Sequence, residues 1–195
     1  MKYFLTLAII TLLSSCSNPS AKRVQQTSSS VAVNPAPAAQ NHIGNVSLAA
    51  GVIPSPEGTA SDFSWHNDNG KKVSLSDLRG KTVLINFWAT WCGPCKAELP
   101  DIEAISKEYA SKGLVVIGVS EDEGNNLVST VSKFATQQGL TYQIVIDDNS
   151  IADAYGNINA IPTSFLVGKD GKIVKQWVGE KDRAFFESVV KKYLD

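Results

Sequence analysis

Cys92 and Cys95 flank Gly93 and Pro94, and Trp91 precedes them. Two thiols at this spacing can exchange with a disulfide, close a structural disulfide, or supply half of a zinc site. Zinc takes about four ligands. Apart from the N-terminal Cys16, the chain offers only His42 and His66 besides, and His42 lies in a stretch that reads as linker. Exchange needs a thiolate as nucleophile. It also needs a second thiol within one turn to resolve the mixed disulfide, and Cys95 stands at that distance from Cys92.

The flanking pattern says what holds the pair. Thr82 to Trp88 is apolar apart from Asn86 and its first residue, as expected of a central strand covered on both faces. A helix is expected from Pro94 to about Ser111, with proline in the first turn, where its missing N–H costs nothing. A cysteine at a helix N-terminus meets unpaired backbone N–H groups and the positive end of the dipole, both of which favour Cys92 as a thiolate. Glu98 falls three residues after Cys95, on nearly the same helix face, under the pair or else solvated. Trp91 reads as a wall of a substrate groove, Trp88 as packing, and Lys96 as solvated as readily as assisting the thiolate.

Beyond the site, strands are expected at Ser61–Trp65 and Lys72–Leu75, paired as a hairpin through the Asn67-Asp68-Asn69-Gly70 turn. Further strands are expected at Leu114–Val119, Tyr142–Ile146, Thr163–Val167 and Lys172–Val178, and helices at Asn126–Gln138, Ile151–Tyr155 and Asp182–Tyr193. Strand–helix alternation closed by a hairpin and a helix gives an α/β fold with a mixed central sheet.

The 195 residues, 43% of them apolar, suffice for one domain with extra segments, and a net charge of −1 offers no basic surface for nucleic acid. Residues 1–15 read as a signal peptide: Lys2, an apolar run from Tyr3 to Leu13, then Ser14 and Ser15. The run is too short to span a bilayer. Leu13-Ser14-Ser15-Cys16 resembles the lipobox of bacterial lipoproteins, which implies lipidation of Cys16 and a membrane anchor. Residues 16–53, rich in Ser, Ala, Pro and Asn and lacking apolar periodicity, read as a lipidated N-terminus and flexible linker, leaving residues 54–195 as the domain.

The segment Val83-Leu84-Ile85-Asn86-Phe87-Trp88-Ala89-Thr90-Trp91-Cys92-Gly93-Pro94-Cys95-Lys96-Ala97-Glu98-Leu99-Pro100 resembles the active site of the thioredoxin superfamily, closest to the exported TlpA/ResA type. The resemblance covers about residues 60–195. It implies a thioredoxin-like fold with helices flanking the sheet, an N-terminal β-hairpin, and a central helix–strand insertion at Glu121–Ile146. It implies catalysis by Cys92 and Cys95, joined as a disulfide when oxidised, and by Glu98, which stands in for the buried aspartate that thioredoxins carry where this chain has Asn86. It implies substrate contacts from Trp91, Gly93, Pro94, Ile161 and Pro162, the last at the family's cis-proline, and no cofactor or metal. The expected activity is reduction of disulfides in exported proteins, extending to cytochrome c maturation, with electrons from a transmembrane thiol carrier. The expected location is the bacterial envelope. Ser17, in place of a retaining aspartate, leans toward the outer membrane of a Gram-negative host. Two alternatives stand beside this. A peroxiredoxin-like peroxidase would carry a threonine where this chain has Ala89. A non-enzymatic lipoprotein scaffold would have no use for the cysteine pair.

Overall fold

In a computed structural model, residues 42–194 can be described. The expectations for residues 1–15, for Cys16 and for the linker as far as residue 41 lie outside them. Five strands precede the site: β1 (His42–Ile43), β2 (Val46–Leu48), β3 (Val52–Ile53), β4 (Asp62–His66) and β5 (Lys72–Ser74). They lead into β6 (Thr82–Trp88), α1 (Gly93–Tyr109), β7 (Leu114–Ser120), α2 (Leu127–Gln138) and β8 (Gln143–Ile146). The chain ends with α3 (Ser150–Ala154), β9 (Thr163–Val167), β10 (Ile173–Val178) and α4 (Arg183–Lys191).

The main sheet has the order β1-β2-β8-β7-β6-β9-β10. β6, β7, β8 and β2 run parallel; β9 is antiparallel to β6, and β10 is antiparallel to β9. This is a mixed α/β sheet of the thioredoxin-like kind, with α2 and β8 forming the expected insertion. β6 has no exposed residue, and its side chains alternate between two cores, as the period of 2 requires. Leu84 and Trp88 join Leu99, Ile102 and Phe186 on the α1 and α4 face, whereas Val83, Ile85 and Phe87 join Phe63, Tyr155 and Phe165 on the other. Each such large side chain contributes about 1.5–3 kcal/mol by burial. Asn86 has the parity of Leu84 and Trp88, so the strand's one amide points into the face covered by α1.

The structure corrects the boundary expected at residue 53. Residues 42–53 hold three strands and belong to the domain. β2 lies parallel to β8, with Val46 opposite Ile144 and Leu48 opposite Ile146, and Val46 is fully buried. β3 pairs with β4, so the expected hairpin of β4 and β5 is part of a three-stranded sheet. Strands of two or three residues are too short to display an alternation. β2, which brings this segment into the main sheet, is held by backbone pairing to β8, nearly a hundred residues away, which no local pattern records.

Candidate functional site

Cys92 is the N-cap of α1, with Gly93 and Pro94 in its first turn. The Cys95 N–H points at Cys92 Sγ at 3.2 Å. The two sulfurs are bonded, with Cα atoms 5.3 Å apart. Cys92 retains 5% exposure and Cys95 none, so the first cysteine is the one that solvent reaches. Once reduced, Cys92 keeps the Cys95 N–H and the helix terminus as stabilisers of a thiolate. Trp91 is 67% exposed, and Gly93, Pro94 and Lys96 are exposed beside it. Trp88 is buried against Phe134, ring centroids 5.4 Å apart.

Opposite the pair runs the loop into β9. Its Ile161–Pro162 peptide is cis. The Ile161 carbonyl oxygen lies 3.8 Å from Cys92 Sγ, and the Pro162 carbonyl accepts from the Gly179 N–H at 2.8 Å. Trp91, Cys92, Gly93, Pro94, Cys95, Ile161 and Pro162 therefore gather at one place, although residues 95 and 161 are far apart in the chain. Cys16 lies outside the described residues. Among the described residues, no group of three or more His, Cys, Asp or Glu side chains is placed to hold a metal.

Glu98 sits one turn below Cys95 and is 1% exposed, so it is not a solvated surface carboxylate. The Asn86 Nδ2 donates to Glu98 Oε1 at 2.8 Å, and the Lys181 N–H donates to Oε2 at 3.1 Å. Burial pushes the Glu98 carboxyl up to about 7; the Lys181 and Asn86 hydrogen bonds and the Lys181 charge oppose the rise, and nearby Glu180 adds to it. A carboxyl of that affinity can take or give a proton near neutral pH, one turn from the Cys92–Cys95 pair.

Two further contacts escape a sequence reading. Asp122, in the acidic run Glu121-Asp122-Glu123, is buried and accepts from the Thr90 N–H at 3.0 Å, the Thr90 hydroxyl at 2.6 Å and the Ser120 hydroxyl at 2.8 Å. It thereby fixes the turn that delivers Trp91 and Cys92. An acidic run reads as a solvated loop, and nothing local marks its middle residue as buried. The Lys181 N–H could not be found either, because a backbone donor has no residue signature.

Residues 56–176 match the model of the AhpC/TSA family. The chain belongs to the AhpC/TSA family. Within this family it is 41% identical over 134 residues to the thiol-disulfide oxidoreductase ResA of Bacillus anthracis, covering 68% of this chain and 75% of that one. It is 36% identical over 137 residues to the ResA of Bacillus subtilis strain 168, covering 70% and 72%. A solved thiol:disulfide interchange protein of the thioredoxin family, from Chlorobium tepidum TLS, superposes with a TM-score of 0.62 at 32% identity, covering 75% of this chain and 99% of that one. With its Cys92–Cys95 pair, this AhpC/TSA-family chain is a thioredoxin-like thiol-disulfide oxidoreductase of the ResA type.

Proposed function

We propose that the protein reduces disulfides of exported proteins, with Cys92 as the attacking thiolate, Cys95 as the resolving thiol and Glu98 as the proton acceptor for Cys95. The observation that carries this reading is the placement of a helix-capping, partly accessible Cys92 over a shielded Cys95 and a buried carboxyl poised near neutrality. The Cys92 thiolate attacks one sulfur of the substrate disulfide, forming a mixed disulfide while the other substrate sulfur leaves and takes a proton. Glu98 then accepts the Cys95 proton. The Cys95 thiolate attacks Cys92 Sγ, the Cys92–Cys95 bond forms, and the second substrate sulfur leaves. Two electrons pass from the dithiol to the substrate. Trp91, Gly93, Pro94, Ile161 and Pro162 form the surface on which the substrate backbone rests, and the Ile161 carbonyl at Cys92 supports that role.

The reading extends to the envelope. Lipidated Cys16 anchors the chain, residues 17–41 tether the domain outside the cytoplasm, and Ser17 favours the outer membrane where there are two. Among the described residues no helix is long and apolar enough to cross a membrane. Electrons come from a transmembrane thiol carrier, and apocytochromes c are among the acceptors. The decisive experiment is expression of Cys95→Ala in the native envelope. Mixed disulfides through Cys92 with exported proteins are expected, and their absence, with the variant folded and exported, overturns the assignment. Alkylation of the reduced protein at neutral pH should label Cys92 before Cys95. Peroxide consumption without disulfide reduction would instead favour the peroxiredoxin-like alternative.

A further inference from the structure

Asn86 lies on β6 directly opposite Ser164 of β9 in the antiparallel register. Its Nδ2 serves two acceptors at once, Glu98 Oε1 at 2.8 Å and Ser164 Oγ at 3.0 Å. All three side chains are buried. The amide's other atom, Oδ1, is buried and receives no hydrogen bond from any described residue. An amide that spends both N–H groups and leaves its carbonyl unserved is oriented by its neighbours.

We propose that Ser164 is a positioning residue: its hydroxyl, acting through the Asn86 side-chain amide, decides which face of that amide meets the Glu98 carboxyl. The inference rests on the reading of Glu98 as the proton acceptor and names what holds that carboxyl ready. A carboxylate only accepts, so it calls for the N–H face of Asn86, the orientation observed. A protonated carboxyl can donate, and the amide turned over would offer it Oδ1. By accepting from Nδ2 at 3.0 Å, the Ser164 hydroxyl holds the N–H face of the amide toward Glu98, the face that stabilises the ionised carboxylate.

Removing the hydroxyl loosens this hold and affects the two protonation states unequally. With Glu98 ionised, Asn86 loses one of its two acceptors and the charge-assisted bond to the carboxylate is less firmly held. With Glu98 protonated, that bond is no longer charge-assisted, so less is lost. The acid form is therefore favoured. The other titratable or charged groups around Glu98 are Glu180 and Lys181 from the loop before α4 and Tyr142 ahead of β8, while Cys92 and Cys95 are joined as a disulfide and carry no titrating thiol in the oxidised protein. None of them bonds to the Asn86 amide, whose partners are Glu98 and Ser164, so a change at Ser164 reaches Glu98 through Asn86.

The test compares Ser164→Val with Ser164→Thr, two β-branched residues of nearly equal shape that suit a strand and differ in the hydroxyl. The carboxyl carbon resonance of Glu98, identified by its loss in Glu98→Gln, is followed against pH in the oxidised protein. The midpoint should rise by roughly one pH unit in Ser164→Val and stay at the wild-type value in Ser164→Thr. A wild-type midpoint in Ser164→Val, or an equal rise in both variants, overturns the proposal. Ser164→Ala serves as a second hydroxyl-free variant if the valine fails to fold, with the same outcomes. The pH profile of disulfide exchange is measured in parallel. If Glu98→Gln leaves that profile unchanged, the proton-acceptor reading fails, while the resonance midpoints still decide the role of Ser164.

Discussion

At the scale of the residue, Glu98 is where the chemistry can be read out. Its affinity for a proton, raised by burial to about 7, places its ionisation within the working range of thiol exchange. Glu98→Gln keeps the shape but offers one acceptor oxygen to the two donors, Asn86 Nδ2 and the Lys181 N–H, and cannot ionise. The rate of reduction of a model disulfide should fall by about 10- to 100-fold near pH 7, within the range ascribed to general acid–base groups. Its dependence on pH between 5 and 9 should flatten. A wild-type profile would reduce Glu98 to a structural carboxyl and leave the two cysteines as the whole of the machinery. Asn86→Asp should partly restore a proton acceptor, on the strand rather than the helix, because position 86 already faces the same buried space. The Cys pair and its helix-capping placement were legible because five consecutive residues carry them. The Asn86–Ser164 contact was not, because it joins residues 78 apart through a strand register.

At the scale of the element, β7 passes unusually close to the layer around Trp88. A Cβ added at Gly118 would sit 2.7 Å from Trp88 Nε1 and 3.0 Å from Tyr142 Cε2. The backbone at Gly118 is ordinary strand, so the glycine is required by space rather than by conformation. Gly118→Ala should destabilise the fold by about 1–3 kcal/mol, as overpacking generally does. Since Trp88 leads into the turn before Trp91 and Cys92, exchange activity should fall as well. Denaturant unfolding and the exchange assay on the same variant check both. β6 and α1 could be read from the sequence because a continuous apolar run and a helix start with proline are local signals. The end of α1 is the lesser discrepancy: the helix stops at Tyr109 and continues as a 3-10 turn over Ala110–Lys112 before Gly113, which takes a φ of 94° that favours glycine.

At the scale of the whole molecule, two predictions follow from what the folded state buries. A chain beginning at residue 54 lacks β1, β2 and β3. It should be less stable than one beginning at residue 42 by about 3 kcal/mol or more, from the lost burial of Val46 and its neighbours together with the lost ladder bonds to β8. Equal unfolding midpoints would show that these strands are dispensable. The second concerns pH. Burial raises Glu98 to about 7, and burial followed by repulsion from Asp147 raises Glu121 to about 8, both from 4.5. A carboxyl whose affinity is higher in the folded state contributes stability that is full below its unfolded value and is lost as pH rises through the folded value. Stability should therefore decline between about pH 4.5 and pH 8. The Glu98 share is about 3 kcal/mol, and Glu98→Gln should remove that share of the slope in urea titrations run across the range.

The order of residues along the chain was enough for the parts whose physics is local. These are the buried strand before the site, the helix start that Cys92 caps, the spacing that sets Cys92 and Cys95 within one turn, and the alternation that makes an α/β sheet. Folding alone settled what depends on groups brought together from afar. It drew residues 42–53 into the sheet, set the Ile161 carbonyl against Cys92, buried Asp122 beneath Thr90, and enclosed Glu98 between Asn86 and the Lys181 N–H. The physical reason is range. Apolar periodicity and capping act within a turn or a few residues of strand, whereas a carboxyl's proton affinity is set by how much water the whole fold removes from it and by which distant donors close around it.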